Sequence, residues 1–115
     1  MVKRLVGVFT GVVVLSAVAA AQAPDAKKVA AGKELFTTLK CGTCHRAEGK
    51  GPAKLTLDGI GAKKPVAEIR AWIASPADME AKLPKPPAVK MSAMLKKKPT
   101  DPEIDALVAY VLSLK

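Results

Sequence analysis

Cys41-Gly42-Thr43-Cys44-His45 is the stretch on which the reading of this chain turns. Two thiols separated by two residues, with an imidazole directly after the second, suit one chemistry above others. The thiols add across the two vinyl groups of a haem, and the histidine presents its ring to the iron from one face. Three rival readings fit less well. A thioredoxin-like dithiol needs a strand ahead of it and an α/β pattern around it; neither is present. A zinc site needs about four ligands, yet Cys41, Cys44 and His45 are the only cysteines and histidine in the chain. A Cys41–Cys44 disulfide leaves His45 without a role.

Working outward, the residues before the motif predict a helix from about Asp25 to Lys40, because Val29, Gly32, Leu35, Phe36 and Leu39 recur at spacings of three and four. A second helix is expected from Pro65 to Ala74, with Val66, Ile69, Trp72 and Ile73 on one face and Ser75-Pro76 stopping it. Ser75 is expected to cap a short further turn. The last helix is announced by Thr100-Asp101-Pro102-Glu103, a capping box with proline in the first turn. Ile104, Leu107, Val108, Val111 and Leu112 then form a stripe down to Leu114. The segments Arg46 to Lys64 and Leu83 to Pro99 lack such periodicity and read as loops. No run alternates with a period of two. The expected class is all-α, three to five helices wrapped around one covalently bound haem.

The chain has 115 residues, room for one domain. Lys3 and Arg4, the apolar run Leu5 to Val18 and the small residues Ala19 to Ala23 follow the order of a secretory signal peptide. The expected division is 1–23 as signal and 24–115 as the haem-carrying domain. The apolar run is short for a membrane-spanning anchor. The net charge of +9 falls to +7 when Lys3 and Arg4 leave. What remains is small and holds Phe36, Trp72 and Tyr110 as its only aromatic residues, so a large apolar cofactor would supply much of the core.

Several segments together resemble the bacterial class I cytochromes c, small monohaem proteins, over nearly all of 25–115. They are Gly32 with Phe36, the Cys41–His45 motif, Leu57-Asp58-Gly59-Ile60-Gly61, Trp72-Ile73-Ala74-Ser75-Pro76 and Asp105-Ala106-Leu107-Val108-Ala109-Tyr110. The resemblance implies a close crossing of the first and last helices, with Gly32 and Phe36 against Leu107 and Tyr110. It also implies haem c attached through Cys41 and Cys44, and a pocket lined by Trp72 on the side opposite His45. Two departures stand out: Ser92 occupies a place where the family usually has proline, and Pro52 lies several residues upstream of Leu57. The carbonyl that orients His45 is therefore left open by the sequence.

With His45 as one axial ligand, a second histidine is unavailable, which leaves the methionines and the lysines, and a soft methionine sulfur suits an electron carrier. Met79 falls in the short turn after Pro76 and reads as packing. Met91 lies where related cytochromes place their ligand, in a stretch that proline keeps out of helix, and Met94 is the alternative.

The expected function is one-electron transfer in the periplasm, with no catalytic residues because no acid/base pair is apparent. The alternatives are a gas-binding or sensor haem protein with an open sixth position, or a small haem subunit of a membrane oxidoreductase. Lys50, Lys54, Lys63 and Lys64 in one loop, and Lys82, Lys85, Lys90, Lys96, Lys97 and Lys98 in the other, would ring the haem edge with positive charge. Such a ring suits acidic redox protein partners. Nucleic acid is not expected, since few aromatics are available for stacking. Membrane contact is expected only through a redox complex, and the protein is expected to be a monomer.

Overall fold

The computed structural model describes residues 25–115; the segment read as a signal peptide lies outside them. Among the described residues all regular structure is helical, in the order α1 (Ala26–Thr38), α2 (Ile60–Lys63), α3 (Val66–Ala74), α4 (Pro76–Ala81), α5 (Met91–Met94) and α6 (Asp101–Ser113), with 3-10 turns at Cys41–Thr43 and Ala53–Leu55. The all-α class is as the periodicity predicts. None of these helices is long and apolar enough to cross a membrane.

α1 starts where Asp25 accepts a hydrogen bond from the Lys27 N–H at 2.8 Å, satisfying one of the orphan donors of the first turn. It ends because Lys40 turns left-handed, at φ +58°, and sends the chain into the motif. α6 carries the full capping box, with Thr100 accepting from the Glu103 N–H and the Glu103 carboxylate accepting from the Thr100 N–H. Ser75 stands at the N-cap position of α4, but its side chain makes no capping bond, contrary to expectation.

Ala106 to Val111 are buried without interruption. A helix buried on consecutive residues is covered on more than one face, and α6 is packed by α1, α2 and α3. The closest crossing is with α1. A Cβ on Gly32 would run into the Ala106 carbonyl oxygen and lie 2.7 Å from the Tyr110 Cβ, so only glycine lets the two backbones approach. Beside it the Phe36 and Tyr110 rings meet edge to face, centroids 5.4 Å apart. Phe36, Leu107 and Tyr110 form one core with Ala47 and Leu114. The crossing thus has the members expected, with Ala106 added. Arg70 and Asp105 pair across α3 and α6 in a half-exposed position.

α2 and α5 fall inside the segments that read as loops. Each is one turn, too short to show a period. Met91 opens α5, so the expectation that proline keeps it out of helix is corrected: the prolines at 84, 86 and 87 precede the turn and leave it free to form.

Candidate functional site

The motif leaves α1 on a 3-10 turn, with the Thr43 N–H bonded to the Lys40 carbonyl and the Cys44 and His45 N–H groups both bonded to the Cys41 carbonyl. This turn places Cys41, Cys44 and His45 together, each half-buried. Cys41 packs against the Phe36–Tyr110 core. Both cysteines are free thiols. Burial pushes the Cys41 thiol above its ordinary pKa, with the nearby Cys44 adding to the effect and a backbone hydrogen bond opposing it. A thiol kept protonated is slow to oxidise onto its neighbour.

His45 is oriented by the chain ten residues on. Its Nδ1 lies 3.1 Å from the Leu55 carbonyl oxygen, which also accepts from the Arg46 N–H at 3.2 Å. Since a carbonyl can only accept, Nδ1 is the donor, and in the neutral ring this leaves the Nε2 lone pair free to bind a metal. The carbonyl that the sequence left open is therefore that of Leu55, on the 3-10 turn that follows Pro52. Gly51 makes the approach possible: its φ is +102°, and a Cβ there would sit 2.8 Å from the His45 carbonyl oxygen and 3.2 Å from that of Gly42.

The loop is fixed by residues that sequence reasoning missed. Ala47 to Lys50 form a tight turn, with the Ala47 N–H bonded to the Lys50 carbonyl and the Lys50 N–H to the Ala47 carbonyl, each at 3.0 Å. Both central residues have positive φ, +52° at Glu48 and +72° at Gly49, the signature of a type I′ turn. Glutamate is a poor residue for that conformation. Asp58 compensates by accepting the N–H groups of Glu48 (2.7 Å) and Gly49 (2.9 Å). The turned-out Glu48 carboxylate pairs with Lys33 on α1 at 2.9 Å and accepts from the Tyr110 hydroxyl on α6 at 3.0 Å. Lys33, then Tyr110, hold Glu48 below the usual carboxylate range.

Burial, reinforced by the Glu48 hydrogen bond, pushes the Tyr110 phenol up to about 12. A phenol pKa raised in the folded state contributes stability that is whole below about pH 10 and is lost as pH rises through the folded value. The depressed Glu48 contributes above the ordinary carboxylate pKa and loses its share as pH falls through its folded value. Tyr110 is the only tyrosine, so its ionisation can be read directly from phenolate absorbance. It is expected well above 10 in the native protein and closer to 10 in Glu48→Gln. An ordinary value in both would show that the hydroxyl is not held by Glu48.

On α3, Ile69 is buried, while Trp72 and Ile73 are half-buried; Ile73 reaches the core that Cys41 also touches. Met79 is half-buried on α4, as its reading as packing implies. Met91 is half-buried at the start of α5, and Met94, at its end, is 57% exposed. α5 packs on α4. There the buried Glu80 carboxylate accepts from both the N–H (2.9 Å) and the hydroxyl (2.7 Å) of Ser92. Those bonds, the hydroxyl foremost, hold Glu80 below the usual carboxylate range against the effect of burial.

Two free thiols and an imidazole with one bound and one free nitrogen define a chain built to carry a covalently attached macrocyclic metal cofactor. Residues 29–115 match the family model described as cytochrome c. No curated protein and no solved structure matches the chain. The chain belongs to the cytochrome c family, a family of haem-binding electron carriers, and its cofactor is covalently bound haem c. The donor set fits that group: thiols for its vinyls, and an imidazole whose Nδ1–H is already engaged.

Proposed function

We propose that this protein is a periplasmic monohaem cytochrome of the bacterial class I type, a one-electron carrier and not an enzyme. In this reading Cys41 and Cys44 hold the haem, His45 and Met91 are its axial ligands, and Trp72 lines the pocket. Haem bound there supplies an iron that gains and loses one electron.

The observation that carries the reading is the His45–Leu55 bond, which fixes the imidazole tautomer and leaves Nε2 free beside two free thiols. The half-burial of Met91, against the exposure of Met94, favours Met91 as the sulfur ligand. A ligand held on a tethered turn suits rapid transfer, because the coordination changes little between oxidation states.

The ten lysines of the two loops are all exposed, which supports docking to acidic redox partners through long-range attraction. The charge order of residues 1–23 supports export through a cleaved signal, leaving 24–115 as the mature domain. A secreted or periplasmic site is consistent with the family.

Met91→Ala tests the function. The wild-type ferric protein is expected to show the long-wavelength sulfur-to-iron band. Met91→Ala should lose it, lower the reduction potential and bind carbon monoxide more readily, whereas Met94→Ala and Met79→Ala should keep it. Absence of the band from wild type would favour a gas-binding or sensor protein with an open sixth position. Its loss only in Met94→Ala would move the ligand by three residues.

A further inference from the structure

The segment between α4 and α6 is poorly tied to the rest of the fold. Among the described residues, the backbone hydrogen bonds made within 84–99 are all local, running from Ala93 and Met94 to Lys90, from Leu95 to Met91 and from Lys96 to Met94. Among the described residues, the only hydrogen bonds that involve a side chain within 82–99 or link this segment to another side chain are the two from Ser92 to Glu80. A four-residue helix does not hold its shape alone. Its own N-cap residue, Lys90, offers no side-chain acceptor to the first turn. Glu80 does that work from another helix, taking one of the orphan N–H groups and the adjacent hydroxyl.

We propose that Glu80 is a positioning residue for the sixth ligand: by gripping Ser92 through two hydrogen bonds, it holds the turn that begins at Met91 and so keeps the Met91 sulfur in place. This rests on Met91 being that ligand. A carboxylate in a buried position is costly unless its acceptor capacity is used, and no ion pair to Glu80 occurs among the described residues; both its oxygens instead go to Ser92. The identity of residue 92 follows. Proline there would have neither the N–H nor the hydroxyl that the clamp needs. Serine supplies both, so the turn is anchored by a tether in place of a stiff ring.

The test uses the haem-loaded protein and imidazole, an external ligand that competes with methionine sulfur for ferric iron. Glu80→Ala is expected to raise imidazole affinity roughly fivefold to tenfold, the size of a lost helix cap. Ser92→Ala, which removes the hydroxyl and keeps the N–H, should give a smaller rise. Glu80→Gln keeps an acceptor for the Ser92 N–H and should also fall short of Glu80→Ala. The double variant Glu80→Ala/Ser92→Ala should not exceed Glu80→Ala alone, as expected of partners in one interaction. Asp78→Ala removes an exposed carboxylate from the same helix and should leave the affinity unchanged.

If Glu80→Ala does not accumulate, Ser92→Ala decides: an unchanged affinity overturns the proposal. Affinities within twofold of wild type for Glu80→Ala overturn it too, provided Met91→Ala has lost the sulfur band. If Met91→Ala keeps the band, the ligand assignment fails first and the proposal falls with it. The two failures are thus read from different variants.

Discussion

Gly32→Ala is expected to destabilise the protein by about 3 kcal/mol, the upper part of the range for forcing an extra carbon into a packed interior. The added methyl meets the backbone carbonyl of Ala106, which cannot rotate away as a side-chain tip can, so α1 and α6 must separate. Separation also loosens the Phe36–Tyr110 contact and the bond from Tyr110 to Glu48. For a domain of this size the melting temperature should fall by roughly 15 °C. Far-UV circular dichroism of the haem-loaded variant, melted against wild type, reads the effect. A change below about 0.5 kcal/mol, the scale of an ordinary surface substitution, would mean that the helices do not cross at Gly32.

Cys44→Ala should produce the other large effect, loss of most of the haem-loaded protein. One thioether would remain through Cys41, and the imidazole beside the missing thiol would lose its covalent constraint. Cys41→Ala is expected to behave similarly, with added damage because Cys41 also packs on the core. Haem retained on denaturing gels after acid-organic extraction measures the outcome. Extractable haem from wild-type protein produced with a haem-attachment system, or bound zinc in its place, would contradict covalent attachment through this motif.

Much of this was legible in the sequence where the cause is local. Thr100 and Glu103 announce α6 because both capping partners lie within one turn. The family resemblance implied that Gly32 and Phe36 meet Leu107 and Tyr110, although the atom nearest Gly32 belongs to Ala106, a residue whose small side chain carries no such signal. The motif itself named Cys41, Cys44 and His45. What escaped depends on backbone atoms or on partners far along the chain. The Leu55 carbonyl orients His45, and any residue type has a carbonyl. α5 draws its cap from Glu80, twelve residues before the Ser92 it holds, and four residues are too few for a hydrophobic period. The Glu48–Gly49 turn escaped because glutamate seldom takes positive φ; only Asp58 makes it tolerable, and Leu57-Asp58-Gly59 gives no hint of which N–H groups that carboxylate will meet.

The pairing of α1 with α6 also has a consequence in time. The helix with the longest buried run is the last of the described helices in chain order, and its main partner is the first of them. Until 101–113 are available, Phe36 has no Tyr110 to meet and Cys41 has no completed core to press against. A chain truncated ahead of α6 should remain open, with both thiols accessible. Closure of the core beside Cys41 thus waits for 101–113, so the motif is made well before the helix that completes its surroundings.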